Sequence, residues 1–411
     1  MPTAAAVPSL VGAVVAGTVL VLTGLGGGST AAATPAVPEA MAGYSYLTGS
    51  VSSSPPGPVV ALWQHGYGVE FLDFPQAVVL GAAGDSYRRV DVAEERAGSE
   101  TQGDPAPMLL SPDGTRVAVG DHDIERPDVV IVDLTTGETT RHALPAGRSV
   151  VPVAWSSDGE ALASLVSDEA TNPYSGGRIT GAIALLDLPD DSAEVIDLDG
   201  SATAAAFSPD GSELAVEQSG GITVVDLQDG SRRGLGVDGV LAGPAAWSPD
   251  GRLLAVTTVE PVDAPPGVDA PGVPSGLSFV DADGRDAAVP DPLSLDLAGP
   301  GRVLGWAGDE EVLTVLADGA DDQTLSVVPL DGAEPRPLMR MSDLGSYGVG
   351  RFQLASSVAG SLEVVDPDDV DRGPWPWALR GVLTVAAGLL AWFIARVVVV
   401  RRARRGRVRT R

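Results

Sequence analysis

The chain has 411 residues, more than one hydrophobic core ordinarily organises, so it either divides into domains or repeats a unit. It contains no cysteine and no lysine, which excludes disulfides, cysteine-ligated zinc and iron–sulfur centres, thiol nucleophiles and the lysine of a Walker-type phosphate loop. The formal charge of −29 is unevenly placed: nine arginines and no acids lie from Arg380 onward, leaving a body with 17 Arg against 55 Asp and Glu, a poor nucleic-acid binder because it repels phosphates.

In chain order, the first element is an apolar run from Val7 to Leu25, followed by Gly26-Gly27-Gly28-Ser29-Thr30 and a stretch of small residues. Ala31-Ala32-Ala33 and Ala40-Met41-Ala42 both fit an A-x-A cleavage pattern, so residues 1–42 read as a signal peptide, or as a retained N-terminal anchor, with a small-residue linker. The segment lacks the Arg or Lys expected at the start of a signal peptide. Val59-Val60-Ala61-Leu62-Trp63 reads as a lone strand, and Gln76–Leu80 with Tyr87–Val92 as a hairpin around Gly84-Asp85.

A repeat then takes over. Each copy has a large apolar residue, a Ser-Pro-Asp-Gly-like turn, a small apolar strand, a loop, and a second apolar strand ending in Asp. The copies begin at Leu110-Ser111-Pro112-Asp113-Gly114, Trp155-Ser156-Ser157-Asp158-Gly159, Phe207-Ser208-Pro209-Asp210-Gly211 and Trp247-Ser248-Pro249-Asp250-Gly251, with a worn copy at Trp306-Ala307-Gly308-Asp309. Their second strands end at Asp133, Asp187, Asp226 and Asp281. Turn starts at 111, 156, 208, 248 and 307 give a period near that of a four-stranded propeller blade, with insertions at 172–177 and 261–276. Pro presets φ in the turn and Gly accepts the conformation that follows. The aromatic is expected between blades, the strand after the turn near the axis, and a strand such as Glu138–Arg141 outermost. Phe352–Ala355 and Leu362–Asp366 are expected to pair with Val59–Trp63 and close the ring. The fold class is therefore all-β, a propeller of six or seven four-stranded blades over residues 43–366, with seven the preferred count.

After a short stalk at 367–378, Leu379–Val400 is 22 residues long with only Arg380 and Arg396 charged, enough for a transmembrane helix. Trp375, Trp377 and Trp392 suit the interface, and the 401–411 tail carries seven arginines. The positive-inside rule puts that tail in the cytoplasm and the acidic body outside.

The Ser-Pro/Ser-Asp-Gly copies with their hydrophobic-Asp strands resemble the TolB-like, WD-repeat-like β-propeller family over about residues 105–320. The signal, propeller and anchor together are similar to exported actinobacterial propeller proteins. Val-Asp or Leu-Asp stands where WD repeats have Trp-Asp, and no Gly-His opens a blade. The resemblance implies protein binding and supplies no catalytic residues.

No catalytic, cofactor-binding or metal site emerges from the residues themselves. His65, His122 and His142 have no metal-ligand spacing, and there is no G-x-S-x-G. Asp121-His122-Asp123 reads as a solvated acidic loop. Asp190-Asp191, Asp321-Asp322 and Asp366–Asp371 offer oxygen ligands to calcium without the spacing of a calcium loop. Asp133, Asp187, Asp226 and Asp281 are read as structural acceptors for a neighbouring turn. The function expected is a non-catalytic scaffold for a protein or cell-envelope partner, with a calcium-dependent, lactonase-like hydrolase at the central channel as the alternative.

The absence of cysteine makes the orientation testable. A cysteine appended after Arg411 should react with an impermeant maleimide only in permeabilised cells, and Asp190→Cys should react in intact ones; the reverse pattern would invert the topology.

Overall fold

The computed structural model describes residues 34–66, 75–97, 104–125, 127–145, 147–172, 179–219, 221–237, 239–261, 272–282, 284, 288–319, 322–341, 348–375 and 377–408. Six four-stranded antiparallel sheets follow one another as the blades of a propeller. From the innermost strand outward, blade 2 is Met108–Leu110, Arg116–Val119, Asp128–Asp133 and Thr139–Ala143, and blade 3 is Ser149–Trp155, Ala161–Ser167, Ala182–Asp187 and Ser192–Val195. Blade 4 is Ala202–Phe207, Glu213–Gln218, Gly221–Asp226 and Arg232–Leu235; blade 5 is Val240–Leu241, Leu253–Glu260, Val273–Asp281 and Leu293–Ser294. Blade 6 is Gly305–Trp306, Glu311–Ala317, Gln323–Pro329 and Arg336–Met341. Blade 1 is shared between distant parts of the chain: Val349–Leu354 forms its innermost strand, beside Val59–His65, Gln76–Gly81 and Tyr87–Arg89.

That sharing corrects the preferred count of seven. The lone strand, the hairpin and the late strand do not seed separate blades; they assemble into one, with Ala61 opposite Leu354 and Leu62 opposite Gln353. Each long repeat interval contains one four-stranded blade and no second one among the described residues. Glu363–Val365 does not join this sheet. It pairs in parallel with Ala36–Pro38, so the folded body takes in residues upstream of position 43. Ala36, Val37 and Met41 are buried there.

The expected strand phase is also corrected. The innermost strand is the one before the Ser-Pro-Asp-Gly turn, and the small apolar strand after it is second. Its residues are small because both faces pack against neighbouring blades, as at Ala163 and Ala215, which are wholly buried. The terminal aspartates accordingly end third strands. Residues 173–177 and 262–271 of the two insertions lie outside the described residues, but Val273–Gly276 already belongs to a strand.

Burial is distributed around the ring. One layer joins Leu62, Val79 and Val90 of blade 1 to Val117 and Val132 of blade 2. Another joins Ala118 and Ile131 to Trp155 and Leu186, and comparable layers follow around the circle. Polar bonds reinforce these layers. The indole N–H of Trp155 donates to the Leu109 carbonyl (3.3 Å), that of Trp247 to Ala206 (3.1 Å), and that of Trp306 to Ala245 (3.0 Å), each on the preceding blade. Gln353 joins blade 1 to blade 2, donating to the Met108 carbonyl (2.9 Å) and accepting from the Leu110 N–H (2.8 Å).

The repeated turn has one geometry in four copies. The Ser hydroxyl donates to the Asp carboxylate at 2.5–2.7 Å and accepts the N–H five residues on, while that carboxylate accepts the N–H two residues beyond itself. The Gly closes the turn at φ between 68° and 72°, a left-handed conformation costly for other residues. The serine hydroxyls of Ser156 and Ser208 hold Asp158 and Asp210 below the usual carboxylate range. At Asp113 and Asp250 burial pushes upward but the same hydrogen bonds outweigh it.

The final helix, Trp377–Val408, contains Leu379–Val400, whose mean hydropathy is 2.2 and which packs against none of the protein. It is long and apolar enough to cross a membrane.

Two outcomes follow. Trp247→Phe, which gives blade 5 the residue type that blade 4 already has, should keep the fold but cost on the order of 2 kcal/mol in denaturant unfolding, from a lost hydrogen bond and unfilled ring volume. The lowered aspartates contribute stability that is present above about pH 4 and lost as pH falls through their folded pKa values. Replacing Asp113, Asp158, Asp210 and Asp250 together by Asn should flatten the fall in Tm below pH 4; an unchanged acid limb would show that these turns do not carry it.

Candidate binding site in the central channel

The six innermost strands surround a channel with two unlike ends. At the turn end lies a cavity of about 360 Å³ walled by all six blades: Leu110 and Pro112, Trp155, Phe207 and Pro209, Trp247 and Pro249, Trp306, and Phe352. The motif places these groups. Leu110, Trp155, Phe207 and Trp306 end their strands just before the turn, and Trp247 stands just before its own, so each reaches both the inter-blade layer and the channel wall. Prolines at the turn leave no N–H to satisfy, which gives a largely apolar rim.

The opposite end is a cavity of about 550 Å³ with a mixed wall. Apolar residues such as Met108, Val153, Leu165, Ile179 and Leu241 share it with His122, Thr203, Glu217, Arg302, Arg351 and Gln353. Leu109, Pro244, Arg302 and Gln353 line both cavities. Glu217, from the second strand of blade 4, accepts bonds from the Thr203 hydroxyl (2.8 Å) and the Leu241 N–H (2.7 Å). Arg302 is surrounded by protein yet remains open to solvent, as a group inside a channel is, and burial followed by the nearby charge of Arg351 lowers its pKa. The Nδ1 of His122 pairs with the Thr171 hydroxyl at 2.8 Å, and burial, then Arg351, lowers its pKa to about 4. It is therefore neutral at physiological pH.

The other candidates from the sequence are dispersed. His65 ends the second strand of blade 1, and His142, on the outer strand of blade 2, contacts Asp191 at 2.7 Å. Arg96 lies 3.8 Å from Asp121 and Arg148 2.7 Å from Asp123, so arginines already face both acids beside His122. Asp371 pairs with Arg88 at 2.7 Å, and Asp321 lies outside the described residues. Among the described residues no three His, Asp or Glu converge as a metal site. Asp133, Asp187, Asp226 and Asp281 each accept N–H bonds from the turn that follows them.

Sequence reasoning missed the channel arginines because its strand phase was off by one. The signal is nonetheless present. Four and three residues before the large residue closing each innermost strand stand Ala106-Pro107, Val151-Pro152, Thr203-Ala204 and Gly243-Pro244 in blades 2–5, but Arg302-Val303 in blade 6 and Gly350-Arg351 in blade 1.

No protein-family model matches the chain, and no curated protein matches its sequence. Solved structures similar to it include TolB from Acinetobacter baumannii (18% identity, TM-score 0.46, covering 73% of this chain and 67% of that one). The putative TolB from Agrobacterium tumefaciens (17%, 0.39, 62% and 87%) and an oligogalacturonate lyase in complex with manganese (14%, 0.42, 73% and 78%) are also similar. The strand order by itself makes the chain a six-bladed β-propeller with one helix able to cross a membrane, and TolB is among its structural neighbours.

Proposed function

We propose that the chain is an exported, membrane-tethered propeller that binds a protein or cell-envelope partner and catalyses no reaction. The observation that carries this reading is the largely apolar mouth at the turn end, where the partly buried Phe352 and exposed rim residues such as Pro249 offer contact surface. A rigid scaffold with apolar anchors in a concavity suits recognition. The anchor supports tethering close to the bilayer. Asp371 and Arg372 are tied to the body through Arg88 and Gly49, and the helix begins at Trp377, so only a few residues, at most about 3.5 Å each, connect them.

Export suggests which N-terminal pattern is cut. Cleavage after Ala42 would remove the buried Val37 and Met41 and the strand paired with Glu363–Val365, whereas cleavage after Ala33 would spare them.

The polar end favours one other reading, a calcium-dependent, lactonase-like hydrolase, because His122 and Glu217 share its wall. Lactone hydrolysis abolished by Glu217→Gln would support it.

Terminal sequencing of the mature chain should begin near Thr34; a start at Gly43 would contradict the cleavage assignment. A photo-crosslinker at Pro249 should give a discrete adduct in intact cells that Phe352→Asp removes, and one at Thr140 on the outer strand of blade 2 should not. Identical adducts from both positions would count against the mouth as the docking surface.

A further inference from the structure

The arginines of the channel invite a different ligand from the partner proposed above. At two successive positions of the innermost segments blades 2–5 carry small or apolar residues, whereas blade 6 has Arg302 at the first and blade 1 has Arg351 at the second, and both line this cavity. Among the described residues, no hydrogen bond or ion pair reaches the Arg302 guanidinium. Its guanidinium is open to the water of the channel, with Arg351 and Glu217 as the nearby charges.

The groups around it do not neutralise it by contact. Glu217 directs both carboxylate oxygens at other donors, Thr203 and Leu241. Asp104 interacts with Arg351 from outside the cavity wall, and the neutral His122 bonds Thr171. The stem of Arg302 lies over Gly243, where an added Cβ would stand 3.3 Å from its Cβ, Cγ and Cδ. A left-handed φ of 96° at Gly243 and 54° at Arg351 helps set the wall around the two side chains.

We propose that this end of the channel binds a carboxylate carried on a small, mainly apolar molecule, with the guanidiniums of Arg302 and Arg351 holding the anion. A guanidinium presents a fork of donors that matches a carboxylate, and the bond strengthens where water is partly excluded. Arg302, Arg351 and Glu217 together leave one net positive charge, which favours a carboxylate over a phosphate dianion. The Met108, Val153, Leu165, Ile179 and Leu241 side chains supply the surface for the apolar body. A cavity of about 550 Å³ accommodates a molecule of aromatic-acid size.

The test uses the full-length chain in lipid nanodiscs, with empty discs as the blank. Binding of 4-fluorobenzoate is followed by fluorine NMR beside 4-fluorobenzamide, its uncharged isostere. The benzoate should bind saturably and at least tenfold more tightly than the amide. Arg302→Gln should remove that difference, while Arg336→Gln, the same charge change on the outer strand of blade 6, should leave it intact. Equal binding of acid and amide by the wild-type chain overturns the proposal without recourse to any variant. So does an undiminished preference in a folded Arg302→Gln protein. Displacement of the probe by inorganic phosphate at equal concentration overturns the assignment to a carboxylate.

Discussion

Each blade is buried on both faces, and this constraint governs the molecule. A single four-stranded sheet of this composition would expose Leu162, Leu214 or Leu254 to water, yet all three are fully buried because a neighbour covers each face. Apolar burial is worth roughly 25 cal/mol per Å², so no blade is stable alone and the array has to close on itself. Closure falls to Val349–Leu354, which travels from the far end of the repeats to pair with Val59–His65, and to Gln353, which bonds the next innermost strand. The indole bonds of Trp155, Trp247 and Trp306 repeat the same function around the circle.

The channel is a consequence of that closure. Six innermost strands converge, and the residues they present decide what the space can hold. Motif residues of blades 2–6, with Phe352 and Leu354 of blade 1, make one end largely apolar. The other end is free of the motif, and there blades 6 and 1 depart from the rest by placing arginines in it. The arginines therefore sit where the repeat is least regular.

Much of the architecture was legible in the sequence. The Ser-Pro-Asp-Gly turns announce themselves because each needs a serine acceptor, a carboxylate and a left-handed glycine at fixed spacing. The acceptor role of Asp133 and Asp226 follows from the turn residues after them. The exposed apolar stretch Leu379–Val400 was equally clear. The strand phase was not, since a two-sided burial pattern gives a small apolar strand the same appearance at the axis and one position out. The count was not, because strands from both ends of the chain merge into blade 1, a pairing that no local pattern encodes. The pairing of Ala36–Pro38 with Glu363–Val365 was hidden for the same reason. Arg302 and Arg351 became visible as a pair only after the innermost strands were in phase.

The central claim is that the ring unfolds as one unit because its closure leaves no blade with a free face. Native-state hydrogen exchange tests it most directly, read at second-strand amides in every blade, such as those of Leu62, Ala118, Ala163, Ala215, Ala255 and Leu313. The account predicts one common opening free energy equal to that of global unfolding. Separate openings blade by blade, or a gradient of protection running away from blade 1, would contradict it.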